Sequence, residues 1–207
     1  MIKVIPFIYN DIDDLYANTY VIIDDDNNAL VIDPSNDNDR LSSYLIRNDL
    51  NVKGVLLTHG HFDHIRGVDT LIETFKCPLF IFFLDEEMLT DSYLNGSDMM
   101  SENSFIVKSK AETLKEGDKI ELLNEDIDII WTPFHTLGST CYYLKESKII
   151  FTGDTLFRNG FGRFDLPHSD RSKVQSSLNR LFKLDDDIKV YPGHGESTYI
   201  GKEKERY

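Results

Sequence analysis

Three histidines and one aspartate fall within six residues, in Thr58-His59-Gly60-His61-Phe62-Asp63-His64, directly after the apolar run Gly54-Val55-Leu56-Leu57. Imidazole and carboxylate are the ligands that borderline divalent metals prefer. Crowding them together without a metal would set polar groups against one another for little gain. This stretch therefore predicts a metal site fed by the end of a buried strand, and it constrains the fold: other ligands must reach the same place.

Five of the six histidines lie at predicted strand ends or in Gly-rich turns: His59, His61, His64, His135 and His194. His59 and His61 are two apart, so on an extended chain their side chains point the same way and can share one ion. Asp63 and His64 are adjacent and suit a second ion nearby. His135 follows a strand whose continuation Pro133 blocks, and it supplies the third ligand of the first ion. His194 sits between Gly193 and Gly195 after another strand and completes the second set. Asp154, in Phe151-Thr152-Gly153-Asp154-Thr155, offers a carboxylate that can join the two. The expected ligand sets are His59, His61 and His135 for one ion, Asp63, His64 and His194 for the other, and Asp154 between them. Each ion keeps room for a shared water, as a catalytic site requires.

The apolar pattern places these residues. Strands are expected over Lys3–Ile8, with Pro6 marking an edge, and over Thr19–Asp24 and Ala29–Asp33, paired as a hairpin through Asp25-Asp26-Asn27-Asn28. A helix is expected over Asn38–Asp49, and another from about His64 to Phe75, capped by Asp63, with Ile65, Val68, Leu71, Ile72 and Phe75 inward. A further apolar strand, Leu79–Phe83, precedes a helix near Asp85–Thr90. Residues 91–104 are polar and aperiodic and read as a loop in which Met99 and Met100 serve packing. Strands over Lys119–Leu122, Ile127–Trp131, Cys141–Leu144, Lys148–Phe151 and Ile188–Tyr191 follow, with a helix over Asp170–Leu184 and a charged tail from Gly201 to Tyr207. Two similar halves of strands punctuated by helices imply two packed sheets with helices outside. At 207 residues the chain reads as one domain.

With 22 Lys+Arg against 36 Asp+Glu, the net charge of −14 repels nucleic-acid backbones and anionic membranes, so neither is an expected partner. Asp11, Asp13, Asp14, Asp25 and Asp26 read as a solvated acidic face. Cys77 and Cys141 lack CxxC spacing and read as two free buried thiols of a reducing compartment. With neither a signal peptide nor a long apolar span in view, the expected location is the cytoplasm.

At these residues the sequence resembles the metallo-β-lactamase superfamily, and most of all its glyoxalase II branch, the hydroxyacylglutathione hydrolases and their shorter bacterial relatives. The resemblance rests on Val31-Ile32-Asp33-Pro34, Thr58 to His64, Thr132-Pro133-Phe134-His135-Thr136, Phe151 to Phe157, Gly162-Arg163-Phe164-Asp165-Leu166 and Pro192-Gly193-His194-Gly195. It implies a four-layer αββα sandwich with two metal ions at one edge, zinc first, iron or manganese as alternatives. It implies hydrolysis of a small hydroxyacyl thioester by a hydroxide shared between the ions, with Asp63 and Asp154 steering its proton. Asp33 would stand behind the ligands, and Arg163 would contact substrate. Asp63 and Asp154 set the chain apart from the β-lactamases that use a cysteine ligand. Phe134 replaces the family's glycine and is expected to narrow the pocket, Asp165 replaces a tyrosine, and His168 reads as a surface residue. The basic C-terminal helical region that binds glutathione in the long enzymes is expected to be lacking. Alternatives within the superfamily are a one-iron persulfide dioxygenase, using His59, His135 and Asp154, and a lactonase or other ester hydrolase.

Overall fold

The structure, a computed structural model, describes residues 1–9 and 15–207. Asp11, Asp13 and Asp14 of the expected acidic face lie outside them, while Asp25 and Asp26 are exposed. The first half builds a six-stranded sheet in simple sequential order: β1 (Lys3–Phe7), β2 (Thr19–Ile23), β3 (Asn28–Ile32), β4 (Asn51–Leu56), β5 (Leu79–Phe82) and β6 (Glu112–Leu114). The second half builds another, of β7 (Lys119–Ile120), β8 (Ile127–Trp131), β9 (Thr140–Leu144), β10 (Ile149–Gly153), β11 (Lys189–Pro192) and β12 (Thr198–Tyr199), in the order β12-β11-β10-β9-β8-β7. The helices are α1 (Asp39–Arg47), α2 (Phe62–Ile65), α3 (Val68–Phe75), α4 (Ser97–Met100), α5 (Val174–Leu181) and α6 (Ile200–Lys204).

Side-chain alternation along the strands explains the layering. In β2, Tyr20 and Ile22 face the second sheet, where they meet Ile127, Ile129, Tyr142 and Phe151, while Val21 and Ile23 face α1 and α3 with Leu41, Leu45 and Leu71. A strand covered on both faces must be apolar or have its polar groups bonded, and in the fully buried Thr19–Ile23 the two hydroxyls donate to the Asp33 and Pro192 carbonyls at 2.6 and 2.7 Å. On the far side, Cys141, Ile150 and Val190 of the second sheet pack against Leu178 and Leu181 of α5. The result is the expected αββα sandwich. Its three apolar layers bury both cysteines as free thiols, and burial pushes Cys141 up to about 12. Among the described residues, no helix is long and apolar enough to cross a membrane.

Several local expectations change. The helix expected from His64 to Phe75 is two helices. Its break is at Gly67, whose N–H donates to the Pro34 carbonyl at 2.7 Å and where a Cβ would meet the Asn36 carbonyl oxygen at 2.4 Å. Asp63 sits inside α2 and His61 holds the capping position without a side-chain bond, so the carboxylate is left for the site. Residues 91–104 contain α4, and Asp91 accepts from the Tyr93 and Leu94 N–H groups. The tail from Gly201 is not a free charged end. Glu203 is buried, accepting from the Thr198 hydroxyl at 2.6 Å and the Asn159 N–H at 2.8 Å, and Tyr207 stacks on Phe182.

The two sheets are pinned together at the edge where β4, β8, β10 and β11 end. Tyr142 donates its hydroxyl to the Leu57 carbonyl at 2.7 Å, and Thr140 N–H donates to the Thr58 carbonyl at 2.9 Å. From the other side, Tyr20 and Asn18 donate to the Pro192 carbonyl, at 2.7 and 3.1 Å.

Candidate metal centre

The seven residues singled out in the sequence all arrive at that edge. Leaving β4, the chain turns through His59 and His61 into α2, which delivers Asp63 and His64. His135 lies in the turn after β8, Asp154 directly after β10, and His194 just past β11. Each strand ends under a buried apolar layer, so the side chains that follow are fixed by well-packed backbone. Gly193 makes the last approach possible: a Cβ there would meet Asp154 Oδ1 at 2.3 Å and His64 Cε1 at 2.7 Å.

Ligand atoms of His59, His61 and His135 lie within 4.8 Å of one another, as do those of Asp63, His64 and His194. A third grouping, His59, His64 and Asp154, meets the same limit, so His59 and Asp154 stand where the two sets adjoin. Asp154 faces both ways. Its Oδ1 is 3.4 Å from His64 Nε2, and its Oδ2 is 3.4 Å from His135 Nε2 and 3.7 Å from His194 Nε2. Asp63 Oδ2 is 3.1 Å from His194 Nε2.

The residues fit a metal on their own evidence. His59 Nε2, His61 Nε2, His64 Nε2 and Asp154 Oδ1 are all buried with no hydrogen-bond partner. Four such atoms in one place are costly unless an ion occupies them. The imidazoles of His59, His64 and His135 are held from behind through their other ring nitrogen, as metal ligands require, while His61 Nδ1 lies 2.9 Å from His135 Nε2. His64 Nδ1 donates to Asp33 Oδ2 at 2.9 Å and His135 Nδ1 to the Arg163 carbonyl at 2.7 Å. Thr58 spends its hydroxyl proton on Asp33 at 2.6 Å, so its oxygen accepts from His59 Nδ1 at 3.1 Å. Asp33 is thus the residue behind the ligands that the resemblance implies, held at φ 48° by Thr58 N–H and hydroxyl bonds.

Electrostatics divide the cluster. Burial, with the neighbouring imidazoles, holds His59 well below its usual value and brings His61 down to about 3. Burial also opposes charge on His64 and His194, but there the carboxylates win. Asp63, Asp33 and Asp154 lift His64 well above 6.5, and Asp154 and Asp63 raise His194. Burial likewise works against ionising Asp63 and Asp154, and the surrounding imidazoles outweigh it, holding both below the usual carboxylate range.

A pocket of about 230 Å³ opens onto the centre, with His61, Asp63, His135, Asp154 and His194 inside and an apolar rim of Leu15, Met100, Phe157 and Leu166. Met100, expected to serve packing, therefore lines the pocket instead. Arg163 is on the rim, but its guanidinium is tied to Asp165 by two bonds of 2.7 and 3.0 Å. Phe134 does not narrow the pocket. It is fully buried, edge-on to Phe161. His168 is not a surface residue: its side chain is 9% exposed, and Nε2–H donates to the Leu84 carbonyl at 2.7 Å.

One residue of consequence escaped the sequence reading. Asp85, in the 3₁₀ turn Phe83–Leu89, is completely buried. It accepts from Gly60 N–H at 3.1 Å, Gly138 N–H at 2.6 Å and the Thr136 hydroxyl at 2.6 Å, with His168 Nε2 3.5 Å away. It thereby joins the His59–His61 loop, the His135 loop and the loop that carries Arg163. Nothing in Phe83-Leu84-Asp85-Glu86-Glu87 distinguishes Asp85 from its solvated neighbours.

A family model described as the metallo-beta-lactamase superfamily matches residues 12–194. A probable metallo-hydrolase, YqgX of Bacillus subtilis, is 32% identical over 194 residues, 93% of this chain and 91% of the relative. The hydroxyacylglutathione hydrolase GloC of Haemophilus influenzae is 34% identical over 191 residues, 90% of this chain and 89% of the relative. Among solved structures, the BLEG-1 B3 metallo-beta-lactamase superposes with a TM-score of 0.90 at 32% identity, covering 99% of this chain and 97% of that one. Fold, ligand cluster and relatives converge, and the chain belongs to the metallo-beta-lactamase superfamily.

Proposed function

We propose that this metal-dependent hydrolase holds two divalent ions, zinc first and iron or manganese as alternatives, and cleaves small hydroxyacyl thioesters. The observation that carries the two-ion reading is the double convergence, His59–His61–His135 beside Asp63–His64–His194 with Asp154 facing both. A one-iron dioxygenase site built on His59, His135 and Asp154 would leave Asp63, His64 and His194 gathered together without a role. The relative called a hydroxyacylglutathione hydrolase supports the thioester as substrate, and the small pocket with its apolar rim suits a short acyl group.

Ions held there would polarise the substrate carbonyl and make a water nucleophilic near neutral pH. The chain's own residues do the rest. Asp33, Thr58 and the Arg163 carbonyl lock the imidazoles. Asp63 or Asp154, both lining the pocket, steers the one proton that the water gives up as it adds to the carbonyl, and that proton passes to the departing thiolate or to solvent. The C–S bond then breaks and the thiol leaves without a strong general acid, because a thiolate is a good leaving group. Leu15, Met100, Phe157 and Leu166 keep bulk water from the reacting carbon, and Arg163 on the rim contacts the substrate.

The test is a thioester panel, including S-lactoylglutathione, assayed with metal analysis of the same preparation. Metal-dependent thiol release with two ions per chain is the expected result. Oxygen uptake with glutathione persulfide and no thiol release would replace it with the dioxygenase reading.

The proton balance adds a pH dependence. In metal-free protein His64 and His194 are raised above 6.5, so binding at their set must displace protons, and affinity there falls as pH falls. His59 and His61 are already neutral, so binding at the other set displaces no proton from either of these rings. Dialysis steps from pH 8 towards pH 5, followed by metal analysis, should show two ions per chain falling to one before the last is lost. Simultaneous loss of both would contradict it.

A further inference from the structure

The pocket over the metal centre is not the only cavity that His194 lines. A larger one, of about 540 Å³, shares that imidazole and is walled by Tyr9, Tyr16, Asn18, Tyr20 and Tyr191, with Glu196 at its margin. The size is within the range of small-molecule sites, and none of these residues takes part in the chemistry described above. A thioester has two halves. The 230 Å³ pocket with its apolar rim takes a short acyl group, and a ligand whose scissile bond lies at the centre has the tyrosine cavity directly beyond His194 for the other half.

The walls state what that half must be. Four tyrosines contribute to the walls, and among the described residues the Tyr191 phenol hydroxyl is not tied up in the fold, a lining that favours flat amides and hydroxylated chains. Two polar wall groups are already committed to the fold. Asn18 donates to Tyr20 Oη, the Pro192 carbonyl and the Gly195 carbonyl, and Tyr20 donates to the same Pro192 carbonyl. Tyr9 contributes its ring, because its hydroxyl is buried away from the cavity. Among the described residues, no Lys or Arg lines the cavity. Arg40 and Arg66 lie over the rings of Tyr9 and Tyr16 rather than in the wall, and Glu196 of the margin is paired with Arg158. The cation on the neighbouring rim, Arg163, is paired with Asp165. A carrier bearing several carboxylates or phosphates would enter this cavity without a free counter-charge, against a chain of net charge −14.

We propose that the tyrosine cavity binds the leaving thiol of the substrate, and that the thiol it fits is an uncharged chain of amide and hydroxyl groups rather than an anionic carrier. This rests on the thioester reading and specifies its second half.

The test compares S-lactoylpantetheine, whose carrier is neutral, with S-lactoylglutathione on the zinc-loaded protein. It also measures binding of free pantetheine and free glutathione by calorimetry. The pantetheine ester should have a KM about 10-fold lower, and Tyr16→Ala should raise that KM about 5-fold with kcat nearly unchanged, as loss of one stacking face predicts. Tyr16→Phe, which keeps the ring, should stay near the wild-type KM. Glu196→Lys, an exposed change, should lower the KM of the glutathione ester instead. Equal KM values for the two carriers, or a KM indifferent to both Tyr16→Ala and Glu196→Lys, would overturn the assignment while leaving thioester hydrolysis intact. If no thioester is cleaved at all, the catalytic reading fails, and calorimetry still decides the cavity. Pantetheine binding weakened by Tyr16→Ala supports it, and absent binding or preferential glutathione binding overturns it.

Discussion

Asp154→Ala is expected to strip both ions from the protein and to lower hydrolysis by about 10³-fold or more, since it removes charge stabilisation shared by two sites. The asymmetry of the centre is the reason. Asp154 is the carboxylate whose two oxygens face different imidazoles, Oδ1 towards His64 and Oδ2 towards His135 and His194. Its loss also removes negative charge that raises His64 and His194, so both become weaker bases in the metal-free protein. Protons then compete less for those rings, yet the ions lose the ligand that faces both sets. His194→Ala is the contrast. His194 belongs only to the set with Asp63 and His64, so this variant should keep about one ion per chain. Metal content and chelator competition on the two purified variants read the difference. Equal depletion of both ions in both variants would show that the residues do not divide as the geometry suggests.

The same contrast explains what could be read in the sequence. The seven centre residues were legible because each follows an apolar run and most have glycine beside them. Such residues are placed by the strand before them, and the position survives without knowledge of the partner. The strands β2 and β10 were legible for a related reason: burial on both faces demands a nearly unbroken apolar run, whereas β8 showed itself by the isoleucines either side of Asp128. The failures are contacts between distant parts of the chain. The break between α2 and α3 depends on the Pro34 and Asn36 carbonyls meeting Gly67. Strand β6 is only Glu112-Thr113-Leu114 and exists through its register with Phe80–Phe82. Glu203 looks like one more charge of the tail until Thr198 and Asn159 are seen to bond it. Phe134 looks like an intrusion into the pocket only if its side chain is assumed to point there.

Asp85 is the sharpest of these cases, and its replacement should have the largest effect on stability. Asp85→Ala would leave Gly60 N–H and Gly138 N–H in a buried space without an acceptor, and would leave the Thr136 hydroxyl with Ser139 Oγ, 2.8 Å away, as its remaining partner. Each such orphan costs about 1–3 kcal/mol, so a loss of about 3–5 kcal/mol is expected. At about 2–4 °C per kcal/mol for a chain of this size, Tm should fall by roughly 6–20 °C. The damage is not evenly spread, because Gly60 lies between His59 and His61, and Thr136 follows His135. The three-histidine set should therefore lose affinity more than the set of Asp63, His64 and His194, the opposite order to His194→Ala. Asp85→Asn retains the side chain's size and one acceptor oxygen but turns the other position into a donor facing donors. It should recover only part of the stability. Thermal unfolding of metal-free protein separates the fold effect from the ligand effect, and chelator competition at a temperature where each variant is folded measures the second. A fall in Tm of less than about 2 °C, where one orphaned group alone should cost that much, would mean that these loops are held by something other than Asp85.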